Sequence, residues 1–487
     1  METLTLPVFG QRITELPPVL HRRVASTPLP QPHLVHLNRS LAEQLGLDPD
    51  WLASDEGVAL FTGNLPDALP TIATAYSGHQ FGVWAGQLGD GRALMLGDLP
   101  GSNGRRMEVQ IKGAGQTPFS RHADGRAVLR SSIREYLCSE AMAALGIPTT
   151  RALILTGSPA PVYRETVETS AVVTRVSESF VRFGHFEHLY HRGDHDALKA
   201  LADFALRHHF PEQADSATPY AALIGEAIAR TARLIADWQA VGFCHGVMNT
   251  DNMSLLGLTI DYGPYGFLDG FDLAHICNHS DHAGRYAYNQ QPQVALWNLH
   301  CLASTFLPTV GEDELVALLR GFQALYETAY LTKMRTKLGL TTQEGGDGAL
   351  LEKLLMAMHG DRVDYTIFFR RLADFDAVDT FNAPLRDLFL ERELFDGWAV
   401  DYRARLAREP QTPAERRAAM SRVNPKYVLR NHIAELAIRK ARDEGDFGEV
   451  DRVFRCLSRP FEEQPEFEVY AGFPPEWADQ ISVSCSS

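Results

Sequence analysis

Cationic residues are in short supply in this 487-residue chain. Lys and Arg total 46 against 61 Asp and Glu, for a net charge of −15. That deficit argues against general binding to nucleic acid or to an anionic membrane, both of which need a basic surface. It leaves room for a local arginine pocket. Long apolar runs are also missing: no stretch of 18 apolar residues occurs, so no membrane span is expected. The first twenty residues lack a basic start followed by an apolar core, so no secretory signal is expected there. Cysteine is sparse and scattered, at positions 138, 244, 277, 301, 456 and 485, with no CxxC pair. Reduced thiols in a cytoplasmic enzyme are the expectation. Internal repeats and low-complexity tracts are lacking too, whereas a hydrophobic share of 45% is ample for a sizeable core.

One further absence lies inside the most informative stretch, residues 245–263, HGVMNTDNMSLLGLTIDYG. The catalytic loop of a protein kinase reads H-R-D-x-x-x-x-N and is followed by D-F-G. His245 falls on the His, Asn252 on the Asn, and Asp261-Tyr262-Gly263 on D-F-G. The aspartate that takes the acceptor proton is replaced by Val247, and a valine does no acid–base chemistry. Asn252 and Asp261 are hard oxygen ligands suited to Mg²⁺ on a polyphosphate. The metal-binding half of a phosphoryl-transfer site is therefore present without its usual base.

Upstream, residues 1–60 read as an irregular, partly helical extension punctuated by prolines, with a short helix near 39–45. Residues 71–99 carry glycines at 86, 89 and 91 between apolar runs; a phosphate-cradling turn and a plain hairpin both fit. In RRMEVQIKGAG, Met107, Val109 and Ile111 alternate with Glu108, Gln110 and Lys112, a strand of period two. Lys112 at its end suits a phosphate grip, although a lone lysine there is more often a solvated edge residue. A helix over 131–145 follows, stopped by Gly146 and Pro148. Glu135 in its first turn is either the partner of Lys112 or half of a capping box with Ser132. Asp124-Gly125 reads as a turn. Strand-like segments over 151–176 precede Arg175 and Arg182, whose planar forks suit phosphate. A long helix over 220–241 delivers the chain to His245, and residues 253–260 read as a compact hairpin. Residues 290–445 are periodic and helix-rich. Two further clusters, His275-Cys277-His279-His282 and His185-His188-His191, offer zinc ligands at uncommon spacings, and local hydrogen bonding is the favoured reading of both.

Assembled, these residues closely resemble the selenoprotein O family of kinase-like protein adenylyltransferases. The resemblance runs through HQFGVWAGQLGDGRA, VQIKGAGQTPFSRHADGRAVLRSSIREYLCSEAM, HGVMNTDNMS, TIDYGP and NPKYVLRN. It implies an α+β, protein-kinase-like two-lobed fold with an N-terminal extension (1–65), an N-lobe (66–185), a helical C-lobe (186–445) and a C-terminal tail (446–487). It implies transfer of AMP from ATP to Ser, Thr or Tyr hydroxyls of proteins, with ATP inverted relative to ordinary kinases and pyrophosphate leaving. Nucleotide contacts carry over onto Gly89, Gly91, Arg92, Lys112, Asp124, Gly125, Arg175, Arg182 and Asp261. Glu135 pairs with the lysine, Asn252 and Asp261 hold Mg²⁺ or Mn²⁺, and Asp251 is the proton acceptor. UTP is a conceivable alternative donor. Cys277 and Cys485 match positions that can form a disulfide; some relatives carry selenocysteine where this chain has Cys485. Two other readings stay open at this stage, an ATP-binding pseudokinase scaffold and a kinase using Asp251 as base.

Overall fold

The computed structural model describes residues 6–102 and 104–484. Twelve strands occur among them, in chain order β1 His21–Arg23, β2 His33–Leu37, β3 Ile72–Thr74, β4 Ser77–Gln80, β5 Val83–Gln87, β6 Ala93–Pro100, β7 Arg106–Lys112, β8 Ala127–Val128, β9 Arg151–Tyr163, β10 Val167–Ser177, β11 Phe243–Cys244 and β12 Gly266–Phe267. Eight form one sheet in the order β1-β3-β6-β7-β10-β9-β2, with β8 added on β10, and its strand pairs are antiparallel. The alternation over 106–112 therefore makes a central strand, and its polar face is covered as fully as its apolar one: Glu108, Gln110 and Lys112 are all buried.

Three local expectations are corrected. The first sixty residues are not merely irregular: β1 and β2 form the two edges of the sheet. These strands are three and five residues long and sit between prolines, too short for a periodic pattern to show. The helix after Lys112 spans Leu129–Ala144, and its N-cap is Val128, without a side-chain cap. Ser132 and Glu135 thus lie inside the helix, and no capping box forms. Residues 253–260 are not a hairpin. Ser254 bridges Arg182, and Thr259 bridges Thr149, so the segment is pinned to two separate parts of the chain.

Helices dominate from Phe183 onward. The Pro219–Val241 helix is capped by Gly242 in the left-handed region, the arrangement that ends a helix cleanly. Its apolar residues join a core that continues through the Leu129–Ala144 helix to the sheet. The NPKYVLRN stretch ties these regions together. Arg430 pairs with Asp269 and Asp364, and Asn431 accepts from Arg134 Nη1 at 3.1 Å. No helix among the described residues is long and apolar enough to cross a membrane.

Candidate active site

Antiparallel register brings the site together. β10 sets Arg175 opposite Gln110 and Val173 opposite Lys112. Lys112 Nζ donates to Glu135 Oε2 at 2.7 Å, and Arg175 Nη1 donates to Glu135 Oε1 at 3.2 Å. Asp261 reaches the same cations from the opposite side. Its two oxygens accept from Arg175 and Arg182, and Lys112 Nζ lies 3.8 Å away. Three cations thus meet two carboxylates and leave one net positive charge in a buried cluster. Burial alone would raise the Asp261 carboxyl, but Arg182, Arg175 and Lys112 hold it well below the usual carboxylate range. Burial lowers the Lys112 ammonium, against the pull of Glu135. Asp261 also adopts φ +56°, an uncommon backbone state for a residue with a side chain.

The loop before Asp261 is held by His245. Its ring stacks on Trp238 (centroids 5.1 Å apart, planes at 24°), and Nε2 lies 3.0 Å from the carbonyl of Ile260. Burial lowers its pKa, so the ring is neutral and anchors the segment that presents Asp261. Val247 lines the cleft as hydrocarbon. The nearby acid is Asp251, only 7% exposed. Gln80 Nε2 donates to its Oδ2 at 3.3 Å, and its Oδ1 has no partner among the described residues. Burial pushes this carboxyl up to about 7; the Gln80 hydrogen bond and Arg182 restrain the rise. A base that titrates there is well matched to proton abstraction at neutral pH. Asn252 Nδ2 donates to the carbonyl of Val247 at 3.1 Å, which leaves Oδ1 as a free acceptor. Asn252 and Asp261 suit Mg²⁺ or Mn²⁺ as oxygen donors, provided Asp261 exchanges its arginine partners.

The glycine turn forms the cleft's other wall. Asp90, buried, accepts from the amide and hydroxyl of Thr74, and Thr117 donates to the Asp90 carbonyl. Gly89 at φ +147° lies so close to Phe119 that a Cβ would meet its ring at 2.6 Å. Gly91 and Arg92 follow on the same wall, and the Arg92 guanidinium has no ion-pair partner among the described residues. Asp124 is paired through both oxygens with Arg164, at 2.7 and 2.9 Å, and Gly125 packs on Gly115, which donates to its carbonyl at 3.1 Å. The expected nucleotide, metal and base residues line one cavity of about 670 Å³, except Arg182, which lies behind its wall; the volume is within the usual size for a small-molecule site. A larger hollow of about 1090 Å³, beside the Pro219–Val241 helix, contains none of them.

Sequence reasoning missed Gln80, Gln110, Asn249 and Arg164. Gln110 had a signal, since it shares the Lys112 face of β7. Gln80 and Asn249 act on partners far along the chain and left no local trace. Cys485 lies outside the described residues. Cys277 is buried, and its thiol donates to the Cys244 carbonyl at 3.4 Å. His185 and His188 are held locally by the Arg182 amide and the Ser77 hydroxyl.

A cleft that gathers buried cations, oxygen donors and a buried carboxyl fits a nucleotide-using transferase. The family model for protein adenylyltransferase SelO matches residues 4–458. A protein nucleotidyltransferase YdiU from Burkholderia ambifaria (strain MC40-6) is 55% identical, covering 100% of this chain and 96% of the relative. Those from Burkholderia multivorans and Paraburkholderia xenovorans are each 56% identical over 96% of this chain and 93% of theirs. The chain belongs to the SelO family.

Proposed function

We propose that this chain, as a protein nucleotidyltransferase, moves AMP from ATP onto Ser, Thr or Tyr hydroxyls of proteins, from a protein-kinase-like two-lobed fold. The observation that carries this reading is the division of the cleft. Lys112, Arg175 and Arg182 gather around Asp261, while Asp251 supplies the base that Val247 cannot. In the reaction, Asp251 takes the acceptor proton as the hydroxyl oxygen bonds to the α-phosphorus. The bond from that phosphorus to the bridging oxygen breaks, and pyrophosphate leaves with the electron pair. Charge develops on pyrophosphate, so the cations belong at its end of the nucleotide. That favours the inverted orientation of ATP.

Asn252 and Asp261 would hold Mg²⁺ or Mn²⁺, which when bound offsets phosphate charge. Glu135 keeps Lys112 and Arg175 aimed into the cleft whatever occupies it. Tail regulation fits the same reading: the Val483 carbonyl accepts from the His279 amide at 2.9 Å, two residues from Cys277, which supports a Cys277–Cys485 pairing under oxidising conditions.

ATP labelled at the α- or γ-phosphate tests the proposal. Label on acceptor protein from the α position alone is the expected result. Label from γ alone identifies a kinase using Asp251, and label from neither identifies a binding scaffold.

A further inference from the structure

Beside the nucleotide cleft lies a second cavity of about 1040 Å³, and Phe81 lines both. Phe81 sits in the turn between β4 and β5. Its amide donates to Asn249 Oδ1 at 3.1 Å and to the Tyr286 hydroxyl at 3.0 Å. Tyr286 donates in turn to Asn249 Oδ1 at 2.6 Å. Asn249 stands two residues before Asp251. The wall of the second cavity is therefore bolted to the loop that carries the base.

Arg285 stands in that wall. Its guanidinium lies 4.7 Å from the centre of the Trp297 ring. The β4–β5 turn closes over it so tightly that a Cβ at Gly82 would come within 3.0 Å of the guanidinium carbon. The group is thus held in place without an ion pair: among the described residues no carboxylate lies within salt-bridge distance, and the buried Nε has no hydrogen-bond partner. Asp281 is the obvious candidate to neutralise it, but its two oxygens accept from the Arg285 and Tyr286 main-chain amides, at 3.0 and 2.7 Å. In a chain of net charge −15, an immobilised arginine without an ion pair, next to the Tyr286 that anchors the loop of the base, is a receptor for an anion.

Resting on the AMP-transfer reading, we infer that this cavity seats the acceptor polypeptide and that Arg285 binds an Asp or Glu side chain close to the hydroxyl being modified. Phe81 lines both cavities, so a segment seated in the second would extend past it toward the cleft that holds Asp251. The acidic side chain then meets a pre-oriented fork, which suits carboxylate recognition.

Twin peptides test this. Each carries one central Ser, Thr or Tyr, with Glu at the flanking positions in one twin and Gln in the other, and is incubated with α-labelled ATP and Mg²⁺. The Glu twin is expected to be labelled with a kcat/KM about tenfold or more above its Gln partner, the difference residing in KM. Arg285→Ala is expected to bring that ratio close to one, and Arg285→Glu to favour a Lys twin. Equal labelling of the twins by the unaltered protein overturns the inference, as does an unchanged preference in Arg285→Ala. If either variant fails to fold, the ratio for the unaltered protein still decides. Absence of α-label from every peptide and from total cell protein is a different failure: it removes the AMP-transfer reading itself.

Discussion

Asp251 gives the sharpest quantitative test. Its carboxyl is lifted from an ordinary 3.8 to about 7, chiefly by burial. Only the ionised form accepts a proton, so transfer should fall on the acid side of neutrality. With a pKa near 7, roughly one molecule in ten carries the working base at pH 6 and about one in a hundred at pH 5. The initial rate of α-label transfer at saturating ATP should follow that tenfold-per-unit slope and level off above pH 8. Gln80 donates to the ionised form, and a hydrogen bond to the charged state lowers a carboxyl pKa. Gln80→Leu should therefore move the acid limb to higher pH, whereas a merely structural glutamine would lower the rate at every pH alike. Asp251→Asn should cost about 10²–10⁴ in kcat. The same residue bears on stability with a definite sign. A carboxyl whose pKa rises on folding contributes stability below its unfolded pKa, and loses it as pH climbs through the folded value. Raising it from 3.8 to about 7 corresponds to about 4 kcal/mol at most, so Asp251→Asn should melt higher than the unaltered chain at pH 8 and no higher at pH 3. An acid limb below pH 5, or a limb that persists in Asp251→Asn, would refute the assignment of the base.

Other expectations follow from the same geometry. Asp261→Ala should abolish transfer, and EDTA should do so reversibly, with label restored by Mg²⁺ or Mn²⁺; label that persists in the variant means the cation is held elsewhere. Lys337 is buried against Tyr365 and Phe369, its ammonium 5.6 and 4.5 Å from the ring centres, and burial lowers its pKa from 10.5 to about 7. The unfolded chain binds the extra proton between those values, so stability should rise with pH across that window, and Lys337→Met should raise Tm at pH 7 and below. Gly246 sits at φ +79°, where a Cβ would lie 2.3 Å from the Pro264 carbonyl oxygen. Gly246→Ala should cost at least about 3 kcal/mol in chemical denaturation.

Much of the cleft was legible because it rests on short-range patterns. The alternation of β7 put Lys112 on a defined face, and helical periodicity placed Glu135 on the next element. The 245–263 stretch set Asn252 and Asp261 at recognisable spacing, with Val247 as the visible gap. Asp251 was legible only through family resemblance, since a loop aspartate has no local signature and its tuning comes from burial by distant parts of the chain. The same limit explains the errors. Glu135 satisfies a capping spacing, but the ion pair with Lys112, 23 residues earlier, determines its role. Residues 253–260 read as a compact hairpin, yet the bridges of this segment run to Arg182 and Thr149. The edge strands β1 and β2 exist because the sheet recruits them, and nothing within three to five residues announces that.

The arginine grip on Asp261 has a consequence for how the enzyme fills. In this cluster the carboxylate neutralises guanidinium groups suited to phosphate oxygens, and the guanidinium groups neutralise a carboxylate suited to a divalent ion. A lone nucleotide would have to displace the carboxylate and leave it stranded, and a lone cation would strand the arginines. A nucleotide and a cation that bind together release both halves of the clasp at once, so each should tighten the hold on the other.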